Sequence, residues 1–195
     1  HGAPEFAVSV SQVLRRLRPG LGVVGVMGNH DHWVGADLSR AQLRAAGVRL
    51  LENSHLWLGQ GGLTETRPAG GGLCLAGLED PWEGRPSLSA ALAKVPAQDP
   101  RLVLCHNPDF AESRQARTST QRVDLMLAGH THGGQVRLHL LGTPILPSRY
   151  GDKYARGLVQ GPAFKVHVSA GVGTTILPVR LGVPPEMTLF TLRPS

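Results

Sequence analysis

Three short apolar runs in this chain each end in a polar cluster that contains histidine. Val23 to Met27 is followed by Gly28-Asn29-His30-Asp31, Leu102 to Cys105 by His106-Asn107, and Val123 to Ala128 by Gly129-His130-Thr131-His132. Apolar runs of this length, bounded by Gly and polar residues, read as buried strands. They fall far short of the roughly 20 residues a membrane-spanning helix needs. Packing explains the apolar part of each run but gives no reason for imidazole at the end of all three. In open sheets, ligands gather at strand ends. The chain is therefore expected to fold around a sheet whose strand ends bring these histidines to one place.

The rest of the chain supplies elements to cover such a sheet. Phe6, Val10, Val13, Leu14 and Leu17 recur at helical spacing until Pro19-Gly20, which predicts an amphipathic helix over 4–18. A second helix is expected over 37–46 and a third over 87–95. Further strands are expected over 22–27, 48–51, 55–58, 73–78, 102–105, 123–128, 164–169 and 187–192. Residues 133–161, rich in Gly, Pro and basic or aromatic side chains, read as a long ordered loop of the kind that frames a binding site. Helices and strands that alternate early, with more strands late, favour an α/β or mixed sandwich over an all-β barrel. The whole of 1–195 is expected to be one domain.

If 129–132 is extended, His130 and His132 project to one side, because side chains in a strand alternate. Imidazoles with an amide oxygen such as that of Asn29 suit a transition metal such as manganese, iron or zinc. His1, His32, His55, His139 and His167 lack this setting and read as ordinary surface or hydrogen-bonded residues. The net charge of +6 comes from seventeen arginines and three lysines spread along the chain. Such a field favours anionic substrates. It makes no basic stripe, and nine aromatic residues are few for stacking platforms, so a specific nucleic-acid partner is not expected. Cys74 and Cys105 sit in apolar runs without CxxC spacing and read as buried, reduced thiols.

Taken in order, Gly28-Asn29-His30-Asp31, His106 and Gly129-His130-Thr131-His132 resemble the second half of the signature of calcineurin-like metallophosphoesterases. Gly129 to Gln135, followed by Pro147 to Gly151 and Tyr154, is similar to a bacterial branch whose members are often membrane-tethered or exported. The resemblance implies an αββα four-layer sandwich with mixed sheets. It also implies a metal-dependent hydrolase of phosphodiesters or phosphomonoesters with a two-metal centre and a metal-activated hydroxide. Asn29, His106 and His130 would bind one ion and His132 the other, with manganese, iron or zinc as the ions. His30, oriented and kept basic by Asp31, would protonate the leaving oxygen or steady the developing charge. Arg149, Tyr150 and Tyr154 are candidate substrate contacts, and the substrate would be a phosphorylated small molecule or a lipid headgroup.

The family's Asp-x-His motif and its Gly-Asp bridge are absent. The single Gly-Asp, Gly151-Asp152, follows no apolar strand. The chain opens on His1 rather than Met, so the sequence is expected to lack the N-terminal part of the domain with two core strands. It is then expected to hold at most one metal ion and to hydrolyse poorly. A non-catalytic metal- or phosphate-binding module is the alternative. Location in the cytoplasm or at a bacterial membrane, through the missing segment, is left open.

Overall fold

The computed structural model describes residues 4–138 and 142–193. Helix α1 (Pro4–Leu14) leads through β1 (Val23–Gly25) and helix α2 (Asn29–Ala45) to β2 (Val48–Leu50), and β1 and β2 pair in parallel as a small separate sheet. The larger sheet has seven strands in the order β4 (Gly62–Thr64), β3 (Ser54–Gly59), β5 (Leu73–Gly77), β6 (Arg101–Leu104), β7 (Leu125–Ala128), β9 (Lys165–Val168) and β8 (Gly157–Gln160). Neighbours from β5 to β9 in this order are parallel; β3 pairs antiparallel with β4 and β5, and β8 with β9. The architecture is mixed α/β with two sheets, as the sequence led one to expect.

The core forms on the central strands, where Cys74, Ala76, Val103, Met126, Val166 and Val168 are fully buried. Leu88 and Ala91 of α3 (Leu88–Ala91), together with Leu92, and Ala116 of α4 (Arg114–Thr118) join the same cluster, with Phe110, Tyr154 and Phe164. The parallel register of β6 and β7, Leu102 opposite Leu125, puts their C-terminal ends side by side. The Gly129 N–H bonds the His106 carbonyl at 3.0 Å just beyond them.

Several expectations need correction. Met187–Leu192 forms no strand, and Met187 and Leu189 are about nine-tenths exposed (89% and 92%). The apolar stripe of α1 also lies outward, with Phe6 61% and Val13 63% exposed. The helix instead meets α2 through buried Ser11, whose hydroxyl bonds the Val8 carbonyl and Gln42 Oε1. Helix α2 starts at Asn29, well before residue 37, because Gly35 (φ 129°, ψ 105°) interrupts the helical backbone and allows an extra N-terminal stretch. The loop expected over 133–161 contains β8 from Gly157 and 3-10 turns at His132–Gly134 and Gly151–Tyr154. Among the described residues, no helix is long and apolar enough to cross a membrane.

Candidate metal centre

Asn29 opens α2 just after β1, His106 follows β6, and His130 follows β7. The small sheet and the large one thus meet where these three side chains converge. Asn29 Oδ1 lies 3.1 Å from His106 Nε2 and 3.2 Å from His130 Nδ1, and the two nitrogens are 3.2 Å apart. Transition-metal ions take N and O donors at about 2.0–2.2 Å, so donors around one ion stand about 2.8–3.6 Å from each other, between right-angled and tetrahedral arrangements. The triangle has that spacing, and its donor types suit a transition metal. Hydrogen bonding alone fits it less well: if both imidazole N–H groups donate to the amide oxygen, two donors face each other at 3.2 Å, and if one ring donates to the other, the accepting nitrogen faces the amide oxygen lone pair to lone pair. Approach is tight enough to require glycine at 28, since a Cβ there would sit 2.6 Å from His106 Nε2.

Burial lowers the pKa of His106 to about 4, helped by the charges of His132 and His30. Burial likewise lowers His130 to about 4, with His106 adding to it and Asp80 opposing. Both rings are therefore neutral at neutral pH, the form that binds metal. His130 Nε2 and Asp80 Oδ2 are buried without a hydrogen-bond partner among the described residues. Asp80 is fully buried, its other oxygen accepts the Trp82 and Glu83 N–H groups, and burial raises its pKa. Orphaned buried polar atoms of this kind are rare and mark sites that an ion or water completes.

His30 packs on Trp33 with ring centroids 4.7 Å apart, and burial lowers its pKa while the charge of Asp31 pulls upward. Asp31 Oδ2 accepts the Gly28 N–H at 2.8 Å, so the carboxylate also caps α2. His132 is likewise depressed by burial, against an upward pull from its hydrogen bond to the Gly173 backbone. Its placement differs from the extended geometry anticipated: His130 (φ 67°), His132 (φ 53°) and Gln135 (φ 57°) all adopt left-handed backbone, with Gly133 and Gly134. Alternation along a strand therefore does not orient these two histidines. Gln135 holds the turn by donating to the Thr175 and Leu177 carbonyls and accepting the Thr175 N–H. Arg180 donates to the carbonyls of His132, Ala170, Gly173 and Val183.

Arg149 and Tyr150 are exposed and line a cavity with Trp82, whose ring meets that of His130 edge-on at 4.5 Å. Tyr154 is fully buried and spends its hydroxyl on Glu112 at 2.7 Å, so it faces the core rather than this cavity. His55 bonds the Ala91 carbonyl and His167 packs on Phe190, while His1 and His139 lie outside the described residues. Among the described residues, no group of three or more His, Cys, Asp or Glu side chains is arranged to hold an ion, so Asn29 is essential to the triangle. The sequence reading missed Asp80, Trp82, Gln135 and Arg180. A signal existed for the first two: Asp80-Pro81-Trp82 follows β5, a fourth strand whose end lies beside that of β6.

The family model described as calcineurin-like phosphoesterase matches residues 3–134. The chain is 33% identical to the metallophosphoesterase YkuE of Bacillus subtilis over 95% of this chain and 61% of that protein. It is 34% identical to the phosphodiesterase YaeI of Escherichia coli over 93% of this chain and 62% of that protein. A zebrafish protein (Danio rerio) named as a transmembrane protein with a metallophosphoesterase domain is 29% identical over 95% of this chain and 42% of its own length. The chain spans 61–66% of the length of the first four curated relatives it matches. No solved structure matches it.

Proposed function

The chain belongs to the calcineurin-like phosphoesterase family, and from that premise we propose that it forms the metal-binding part of a phosphoester hydrolase, with 1–195 acting as one domain. The observation that carries this reading is the triangle of Asn29 Oδ1, His106 Nε2 and His130 Nδ1, with sides of 3.1–3.2 Å. Phosphodiesters are the favoured substrates, because a relative with 34% identity is named a phosphodiesterase.

Asn29, His106 and His130 would hold one divalent ion, and His132 belongs to the position of a second. When bound, such ions supply Lewis acidity to the phosphoryl oxygens. The protein's own groups do the rest. An imidazole N–H of His30 donates to the oxygen of the departing group, and Asp31 fixes the helix N-terminus that carries His30. Arg149 offers its guanidinium to the ester from the cavity rim. The rings of Trp82 and His130 pack edge-on along one flank of the centre.

The test is isothermal titration of the chain with Mn2+, paired with hydrolysis of bis(p-nitrophenyl) phosphate and p-nitrophenyl phosphate. We expect one ion per chain, loss of binding in Asn29→Ala and His106→Ala, and metal-dependent turnover that is weak and fastest on the diester. Two tightly bound ions would overturn the expected stoichiometry. Binding without any turnover would assign the non-catalytic module instead, and absence of both would overturn the reading.

A further inference from the structure

We propose that the cavity beside the candidate centre is a specificity subsite for a planar aromatic substituent of the phosphoester, an aryl or nucleobase group. This rests on the phosphoester reading above. The cavity has a volume of about 290 Å³, near the lower end of the roughly 300–1,000 Å³ typical of small-molecule sites. That is room for one ring system. Trp82 and Tyr150 line it while remaining 43% and 42% exposed, and Phe110 (3% exposed) and Pro86 complete an apolar surface. Flat faces of this kind favour planar groups, which gain from stacked or edge-to-face contact beyond the area they bury.

Position links the cavity to the chemistry. The Trp82 ring is 4.5 Å from that of His130, and His130 Nδ1 is a corner of the donor triangle. A ring resting on Trp82 is thus about one ring's width from a phosphoryl group at the centre. Two charged side chains also line the cavity. Asp109, the acid in the lining, already accepts the Ser148 hydroxyl at 2.6 Å and the Arg149 N–H at 2.8 Å. The Arg149 guanidinium has no ion-pair or hydrogen-bond partner among the described residues, so the lining offers a free cation to the phosphoryl side of a ligand and one carboxylate, Asp109, to its other polar groups.

The wall is also built in advance. Asp109 and Glu112 lie on one 3-10 turn, Pro108–Glu112, close after His106. Asp109 holds Ser148 and Arg149, and Glu112 holds Lys153 and Tyr154, so the segment bearing Arg149 and Tyr150 is fastened on both sides.

The experiment titrates the full chain, with saturating Mn2+, with phenylphosphonate, ethylphosphonate and inorganic phosphate, by calorimetry and tryptophan fluorescence. Phenylphosphonate is expected to bind about tenfold more tightly than ethylphosphonate. That ratio should fall to about twofold or less in Trp82→Leu and Tyr150→Leu. It is read within each variant, so a loss common to both ligands cancels. Equal affinity in the unaltered chain, or an undiminished ratio in both variants, would overturn the subsite even if inorganic phosphate binds. Failure of inorganic phosphate to bind at all would overturn the phosphoester reading itself.

Discussion

Replacing Glu112 by Ala tests how the cavity wall is held. The Glu112 side chain is 3% exposed and accepts from Lys153 Nζ at 2.5 Å, from the Tyr154 hydroxyl at 2.7 Å and from the Arg117 guanidinium. Removing one partner of a fully buried ion pair costs about 3–5 kcal/mol, because the other charge is stranded. Here the cations are 39% and 51% exposed and can rehydrate, so that full penalty does not apply. Tyr154 is fully buried, and its hydroxyl would lose its acceptor, at roughly 1–3 kcal/mol. With the lost charged hydrogen bonds, Glu112→Ala is expected to cost about 3 kcal/mol and to lower Tm by roughly 6–12 °C in a domain of this size.

Urea unfolding followed by circular dichroism checks this in a cycle with Tyr154→Phe. The phenylalanine removes the stranded hydroxyl, so its cost should vanish in the Glu112→Ala background. A coupling of at least about 1 kcal/mol is expected, and additivity within about 0.5 kcal/mol would refute the reasoning. Burial alone would raise the Glu112 carboxyl, but hydrogen bonds from Lys153 and Tyr154, with the charges of Lys153 and Arg117, outweigh it and hold the pKa low. A depressed folded-state value gives stability that is present above the unfolded carboxyl's pKa and is lost as pH falls through the folded one. The stability gap between the unaltered chain and Glu112→Ala should therefore shrink in acid, and a widening gap would also count against the argument.

Three further outcomes are expected. Gly28→Ala places a Cβ 2.6 Å from His106 Nε2 on a backbone (φ −108°) that alanine adopts freely, so calorimetry should show at least tenfold weaker Mn2+ binding, and thermal unfolding should show an overpacking cost of about 1–3 kcal/mol. Gln135→Ala removes three hydrogen bonds that span 135 to 175–177, at about 1 kcal/mol each. Thermal unfolding should show that loss, and hydrogen exchange should speed up across 173–181. Cys74 and Cys105 are fully buried, and burial pushes the Cys74 thiol up to about 11 and the Cys105 thiol also upward. Neither should react with a disulfide reagent at neutral pH until the chain is unfolded in urea, when two equivalents should appear.

The large sheet and the convergence of Asn29, His106 and His130 were legible because strand ends follow from local patterning. Each apolar run stops where its polar cluster starts, and parallel neighbours must end on the same edge. Faces were harder to read. The α1 stripe of Phe6, Val10 and Val13 has helical spacing, but spacing says which residues share a side and not what covers it. Ser11, which is no part of that stripe, is the side chain that meets α2. Met187 to Leu192 shows the same limit, since an apolar run of strand length needs a partner strand to become one.

The turn from His130 to Gln135 was illegible for a different reason. Left-handed backbone at a residue with a side chain costs roughly 1–2 kcal/mol, and His130, His132 and Gln135 each adopt it. Nothing in the local sequence favours that conformation except Gly133 and Gly134, so an extended reading is the natural one. What offsets the cost comes from far along the chain. The Thr131 hydroxyl bonds the Ala155 carbonyl, Gln135 binds 175–177, and Arg180 ties the His132 carbonyl to those of Ala170, Gly173 and Val183. The two histidines are therefore aimed by residues 20 to 50 positions away. Strain of this kind persists only where surrounding structure over-determines it, and it concentrates at functional sites. The clamp around Gln135 and Arg180 is thus as much a part of the candidate centre as the imidazoles it positions.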